Sequence, residues 1–215
     1  MFYGFYYYQI YNIEQIEGWK KLTDNGIIEI TFHGRGGQTA ITASQLLAQL
    51  AYEESFKDAI AIPIIGAERR GAPIQAFTKL SRNKPIKTYD SVIAPDYMLI
   101  FDPSLLDIPR ILESIKSGVT LLINTKNPID TCEFPENIKI FIVDATGICI
   151  RLGFMHSSGP ILNIPMLGAF GQLTGFYNLD TMKKVLYSEY GEAKGKKNFE
   201  VAVEAYNSVK EVEFE

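Results

Sequence analysis

Apolar residues in this chain fall into two patterns: short unbroken runs of Ile, Leu, Val and Phe, and longer stretches where they recur every third or fourth position. The runs read as strands buried on both faces, and the spaced stretches as amphipathic helices. The first run, GIIEITF from Gly26 to Phe32, predicts a strand. A helix is expected over Ala40 to Glu54, with Ile41, Leu46, Leu47, Leu50 and Ala51 on one face and Gln45, Gln49, Glu53 and Glu54 on the other. Further strands are expected at Asp58 to Ile62, Ile74 to Leu80, DYMLIFD (96–102), GVTLLINTK (118–126) and NIKIFIVDAT (137–146), with a short edge segment at Ile86 to Tyr89. Helices are expected from Pro103 through Ile115, from Ala145 to His156, over NIPMLGAFGQLTG (163–175), from Leu179 to Tyr190 and from Lys197 to Val209. Asn163 is the expected N-cap of the third, with Pro165 near its start. This alternation predicts an α/β fold: a mostly parallel sheet with helices on both faces, a single Rossmann-like domain over residues 26–215.

Residues 1–25 break the pattern. MFYGFYYYQIYNIEQIEGWKKL is dense in Tyr and Phe, lacks a basic leading region and a small-residue cleavage site, and is therefore not a secretory signal. It reads as an aromatic N-terminal arm, suited to a surface that becomes covered.

Composition narrows the function classes. The 215 residues carry a formal net charge of −4, and no Lys/Arg stripe with interleaved aromatics occurs, so no nucleic-acid partner is expected. No apolar stretch approaches the ~20 residues of a membrane span, so no membrane association is expected. Cys132 and Cys149 are the only cysteines, and His33 and His156 the only histidines. They cannot by themselves hold an iron–sulfur cluster or a zinc ion, and they fit a reducing cytoplasm.

The candidate chemistry lies in ITFHGRGGQTAITASQLL, residues 30–47, a glycine-rich turn between strand and helix. A dinucleotide fingerprint asks for three glycines and, at the end of the next strand, an acid for the ribose. Gly34 and Gly36 fit, but the third position is Thr39 and the next strand ends AIAIP without an acid. The NAD reading fails on both counts. Two readings remain for the turn: the amides of Gly36, Gly37 and Gln38 face an anion at a helix N-terminus, or the glycines serve only the backbone, with Thr39 as a helix cap.

Taken in order and with their spacings, HGRGGQTAITASQLLAQLA, IIGAERRGAPIQAFTKL, PDYMLIFDPSLL, LLINTK and NIPMLGAF resemble the gamma subunit of 2-oxoacid:ferredoxin oxidoreductases, over about Ile27 to Tyr206. The pairing of G-R-G-G-Q with G-A-E-R-R-G carries the specificity. The resemblance implies a subunit of an enzyme that converts pyruvate or a related 2-oxoacid to an acyl-CoA, carbon dioxide and reduced ferredoxin. It implies thiamine pyrophosphate between alpha and beta subunits, and iron–sulfur clusters in beta and in a small ferredoxin-like delta subunit. It places the gamma subunit beside that site, in assembly and in handling coenzyme A, with ferredoxin as the electron acceptor of the complex. An indolepyruvate-using relative shares this domain, so the 2-oxoacid stays open. The family motif usually reads G-G-Q-G, whereas Gln38 is here followed by Thr39.

The functional edge is accordingly placed on Gly34, Gly36, Gly37, Gln38, Arg69 and Arg70, with no acid, base or nucleophile for the chemical step on this chain. Arg69 and Arg70 face opposite ways if extended, so one can grip a phosphate or carboxylate while the other pairs with Glu68; alternatively both make interface salt bridges. Asp102 and Asp144, at strand ends, are expected to cap helices, and His156-Ser157-Ser158 to form a polar helix end rather than a triad. Gly168 and Ala169 offer a packing surface, within the chain or onto a partner. The competing reading is an autonomous nucleotide-binding protein with a degenerate Rossmann turn.

Overall fold

The computed structural model describes residues 26–64 and 70–212; the expected arm, Glu68 and Arg69 lie outside the described residues. Seven strands form one sheet: β1 (Ile27–Arg35), β2 (Asp58–Pro63), β3 (Pro73–Ser81), β4 (Tyr97–Ile100), β5 (Thr120–Asn124), β6 (Lys139–Val143) and β9 (Lys210–Glu211), in the order β2-β3-β1-β4-β5-β6-β9. The central strands β1, β4, β5 and β6 are parallel, and antiparallel β3 and β9 flank them. β3 also separates β2 from β1, so the first βα unit does not return to an adjacent strand. A ribose-binding acid on β2 would therefore sit one strand spacing, about 4.8 Å, further out than in a dinucleotide fold.

The two faces are covered unequally. On one, Ile30, Phe32, Leu80, Tyr97, Leu99 and Phe101 pack beneath α1 (Ala40–Glu53), α3 (Ala145–Arg151), α4 (Asn163–Thr174) and α5 (Leu179–Ser208). Tyr97, Phe170, Phe176 and Phe56 meet edge to face there, with centroids 5.4 to 5.9 Å apart. On the other, Met98, Ile100, Leu121, Ile123 and Ile140 lie beneath a 3₁₀ turn at Pro103–Asp107, the short α2 (Pro109–Leu112) and coil.

Four local expectations are corrected. Ile86 to Tyr89 is coil, because the Ile86 amide donates to the Asp58 carboxylate (2.8 Å) and not to a strand. The helix expected from Pro103 through Ile115 breaks at Pro109, which holds Ile108 extended at φ −88°, ψ 112°. The helix from Ala145 stops at Arg151; Gly153 turns the chain at φ +62°, and β7 (Met155–His156) pairs with β8 (Gly159–Pro160). His156 thus stands on a hairpin and not at a helix end. The α4 helix takes Leu162 as N-cap and buries Asn163 in its first turn. The two C-terminal helices stand as expected on either side of a break, which falls at Gly191, whose φ of +74° suits glycine. Gly168 packs inside the chain: a methyl group there would overlap the Ala202 carbonyl where α4 crosses α5.

Candidate functional site

The connection after β1 runs over one face and the connection after β4 over the other, so the carboxyl ends of β1 and β4 mark the point where the winding changes face. Open α/β sheets place ligands at that point. Here the glycine turn meets the second motif directly. The Gly36 amide donates to the Ala72 carbonyl (2.9 Å), and the Gly71 amide donates to the Gly36 carbonyl (3.1 Å). These two bonds carry the β1–β3 ladder past Arg35 and Pro73 and bring G-R-G-G-Q against Gly71 and Ala72 of the second motif.

Each glycine has its own reason. A Cβ on Gly34 would stand 3.0 Å from the Ala40 Cβ and 3.5 Å from the Phe101 Cβ, so only glycine lets α1 start so close to β4. Gly37 has φ +99°, which an L side chain rarely adopts. The Gln38 amide donates back to the Arg35 carbonyl (2.9 Å). The amides of Gly36 and Gln38 are therefore used inside the turn, and Gly37 is the one of the three expected donors that the turn itself does not engage.

Gln38 is used at both ends of its side chain. Oε1 accepts from the Arg35 amide (2.7 Å), and Nε2 donates to Asp102 Oδ2 (3.3 Å). Asp102 also caps the 3₁₀ turn, accepting from the Ser104 amide (3.1 Å) and hydroxyl (2.6 Å). Burial raises the Asp102 pKa, but the Ser104 bonds and the Arg35 charge outweigh it and hold the carboxyl below the usual range.

Arg35 was not among the expected site residues, although it stands inside the quoted motif. Its Nε donates to Asp102 Oδ2 (2.9 Å), Nη1 to the Gly71 carbonyl (3.2 Å) and Nη2 to Ser104 Oγ (2.7 Å). An arginine between two glycines carries no sequence mark of which loops its fork will join; only the folded ends of β1, β3 and β4 decide that. Asn124 was missed for the same reason: it donates to the Phe101 carbonyl and Thr146 Oγ1 (both 2.9 Å) and accepts from the Thr146 amide (3.1 Å), fastening β5 to β4 and α3.

Arg70 is exposed on the rim, with Nη2 donating to the Ser158 carbonyl (3.3 Å) at the hairpin tip, and Ser158 in turn lies beside Gly37. His156 Nδ1 is 3.1 Å from Ser157 Oγ and 3.3 Å from Ser158 Oγ, an exposed local turn. Next to the turn, a cleft of about 400 Å³ runs along the ends of β4, β5 and β6, lined among others by Gln38, Asp102, Asn124, Lys126 and Asp144. Asp144 caps α3 through the Gly147 amide (2.8 Å), as expected. Among the described residues no three His, Cys, Asp or Glu side chains gather as a metal site, and Cys132 is exposed while Cys149 is buried. Among them, too, no helix is long and apolar enough to cross a membrane.

Comparison with known proteins matches residues 29–208 to the family described as pyruvate ferredoxin/flavodoxin oxidoreductase. The chain is 39% identical over 184 residues to the pyruvate synthase subunit PorC of Methanothermobacter marburgensis, covering 86% of this chain and 98% of that one. It is 38% identical to the common gamma subunit of the pyruvate/ketoisovalerate oxidoreductases of Thermococcus kodakarensis, over 84% of this chain and 96% of the relative. The crystal structure of the pyruvate oxidoreductase subunit PORC from Thermotoga maritima superposes with a TM-score of 0.74 at 32% identity, covering 87% of this chain and 99% of that one. The motif pair joined at the end of β1 therefore lies within a match that runs almost the full length of such subunits, and the chain belongs to the pyruvate ferredoxin/flavodoxin oxidoreductase family as a gamma-type subunit.

Proposed function

We propose that this chain serves a multi-subunit 2-oxoacid:ferredoxin oxidoreductase by holding subunits together and by presenting an anion-binding edge to coenzyme A. The enzyme converts pyruvate or a related 2-oxoacid to an acyl-CoA, carbon dioxide and reduced ferredoxin. Its partners in this reading are an alpha and a beta subunit with thiamine pyrophosphate between them, a ferredoxin-like delta subunit that shares the iron–sulfur clusters with beta, and ferredoxin as acceptor. This reading is supported by the chain's having only Cys132 and Cys149, one exposed and one buried, as thiol donors, fewer than a cluster takes.

The observation that carries the edge is the position of Arg70. An exposed guanidinium, bonded to the neutral carbonyl of Ser158, stands at the hairpin tip that lies beside Gly37. Guanidinium groups bind phosphates through paired N–H donors, and coenzyme A carries phosphates on its nucleotide. The autonomous dinucleotide reading is disfavoured by the insertion of β3 between β1 and β2.

The test is steady-state kinetics on the assembled enzyme. Arg70→Ala is expected to raise the KM for coenzyme A about tenfold, the loss of roughly one charge-assisted bond, with the KM for the 2-oxoacid unchanged. Reduced assembly with an unaltered KM for coenzyme A would instead make Arg70 an interface residue.

A further inference from the structure

We infer that Arg35 is the positioning residue of this edge: it does not bind the anion but sets where Arg70 stands. The inference rests on the reading above and names the group on which that reading depends.

The guanidinium of Arg35 joins three chain segments that are distant in sequence. It reaches Asp102 and Ser104 beyond β4, and the carbonyl of Gly71, the residue that follows Arg70. Asp102 is itself fixed from three sides, by Ser104, Gln38 and Arg35, so the anchor against which Arg35 pulls does not swing. The backbone pair between Gly36 and Gly71–Ala72 supplies a second attachment at the same place. The chain is thus clamped at Gly71, immediately after Arg70. Arg70, directly before this attachment, takes its position from it.

Charge separates the roles of Arg35 and Arg70. Arg35 lies against Asp102 at 2.9 Å, each side chain less than a third exposed, so its charge is matched locally and its donors are directed into the fold. Arg70 has no carboxylate among its recorded partners and is exposed. An incoming phosphate therefore meets the exposed Arg70, whereas the donors of Arg35 are already taken by Asp102, Gly71 and Ser104.

Arg35→Lys isolates the bracing from the charge. A lysine keeps the positive charge opposite Asp102 but, as a single point donor on a flexible stem, cannot span Asp102, Ser104 and Gly71 together. Two measurements on the complete enzyme decide the matter. Hydrogen exchange of the peptide holding Gly71 and Ala72 is expected to quicken about tenfold in Arg35→Lys, as a local opening becomes easier. The KM for coenzyme A is expected to rise about fivefold with kcat within twofold, and the double variant with Arg70→Ala is expected to be no worse than Arg70→Ala alone, because both changes act through one contact. Unchanged exchange at Gly71 and Ala72 overturns the inference, and so does a double variant whose KM rise is the product of the two single rises. If Arg70→Ala leaves the KM for coenzyme A unaltered, the proposed function falls, and the exchange measurement still decides whether Arg35 holds the loop.

Discussion

The hydroxyl of Thr39 accepts the backbone amide of Asn163 at 2.9 Å, linking the start of α1 to the start of α4 across 124 positions of chain. The same hydroxyl donates to the Gln38 carbonyl at 2.6 Å. Thr39 pays for this with its backbone, which lies in the left-handed region at φ 61°, ψ 21°. That conformation costs a β-branched residue about 1–2 kcal/mol, which is the physical reason a glycine suits the position in the related motif.

Thr39 is expected to respond in opposite ways to two substitutions. Thr39→Gly relieves the strain while losing the hydroxyl bonds, and should change stability by less than about 1 kcal/mol. Thr39→Val keeps the strain and leaves the Asn163 amide unpaired in a buried place, and should cost about 1–3 kcal/mol. Urea denaturation of both variants checks this; a valine variant as stable as the glycine one would contradict it.

Gly168→Ala should be the most damaging single methyl in the helical layer. The added carbon has no room against the Ala202 backbone, so α4 and α5 must separate. A loss of about 2–3 kcal/mol is expected, because backbone cannot yield as a side-chain tip can. The thermal midpoint reads it directly.

Gly147→Ala should be milder. Its methyl would overlap the carboxylate of Asp144, but that carboxylate can rotate away at the expense of its cap on α3. The expected cost is about 1 kcal/mol, the worth of an N-cap, and Asp144→Ala should add little further in the double variant.

Two buried groups give opposite pH dependences that overlap. Burial, aided by the charge of Arg110, lowers the His33 pKa from 6.5 to about 4. Between these values only the unfolded chain binds the proton, so His33 makes stability rise with pH. Burial, opposed by the bond from the Glu29 amide and aided by the Glu29 carboxylate, raises the Asp96 pKa from 3.8 to about 6. Between those values the folded chain holds the proton, so Asp96 makes stability fall with pH. The wild-type profile from pH 4 to 6 is therefore expected to be shallow. Asp96→Asn should unmask a rise and His33→Gln a fall, each of order 1 kcal/mol across the window after allowing for solvent screening at Asp96. Urea midpoints at pH 4.5 and 6 measure both, and parallel profiles in the two variants would refute the assignment.

Much of the frame was legible from residue order alone. Runs such as YMLI and TLLIN, buried throughout, and IEITF and KIFIV, buried in part, carry their own signature, and so do α1 and the separation of the two C-terminal helices. Local chemistry also identified the caps at Asp102 and Asp144, because an N-cap bonds only two or three residues ahead. Weak local signals misled where long-range partners outbid them: Ile86 to Tyr89 has strand character, yet the carboxylate of Asp58 takes the Ile86 amide.

The sequence by itself determined an α/β chain with a glycine turn after its first strand and with two cysteines and two histidines. Only the tertiary structure decided that β3 inserts between β1 and β2, that the two glycine-bearing motifs share backbone hydrogen bonds, and that Arg35 closes them onto Asp102. The reason is range. Periodicity and capping act within a few residues, whereas strand order and the reach of a guanidinium join positions 36 to 69 residues apart, which no local pattern encodes.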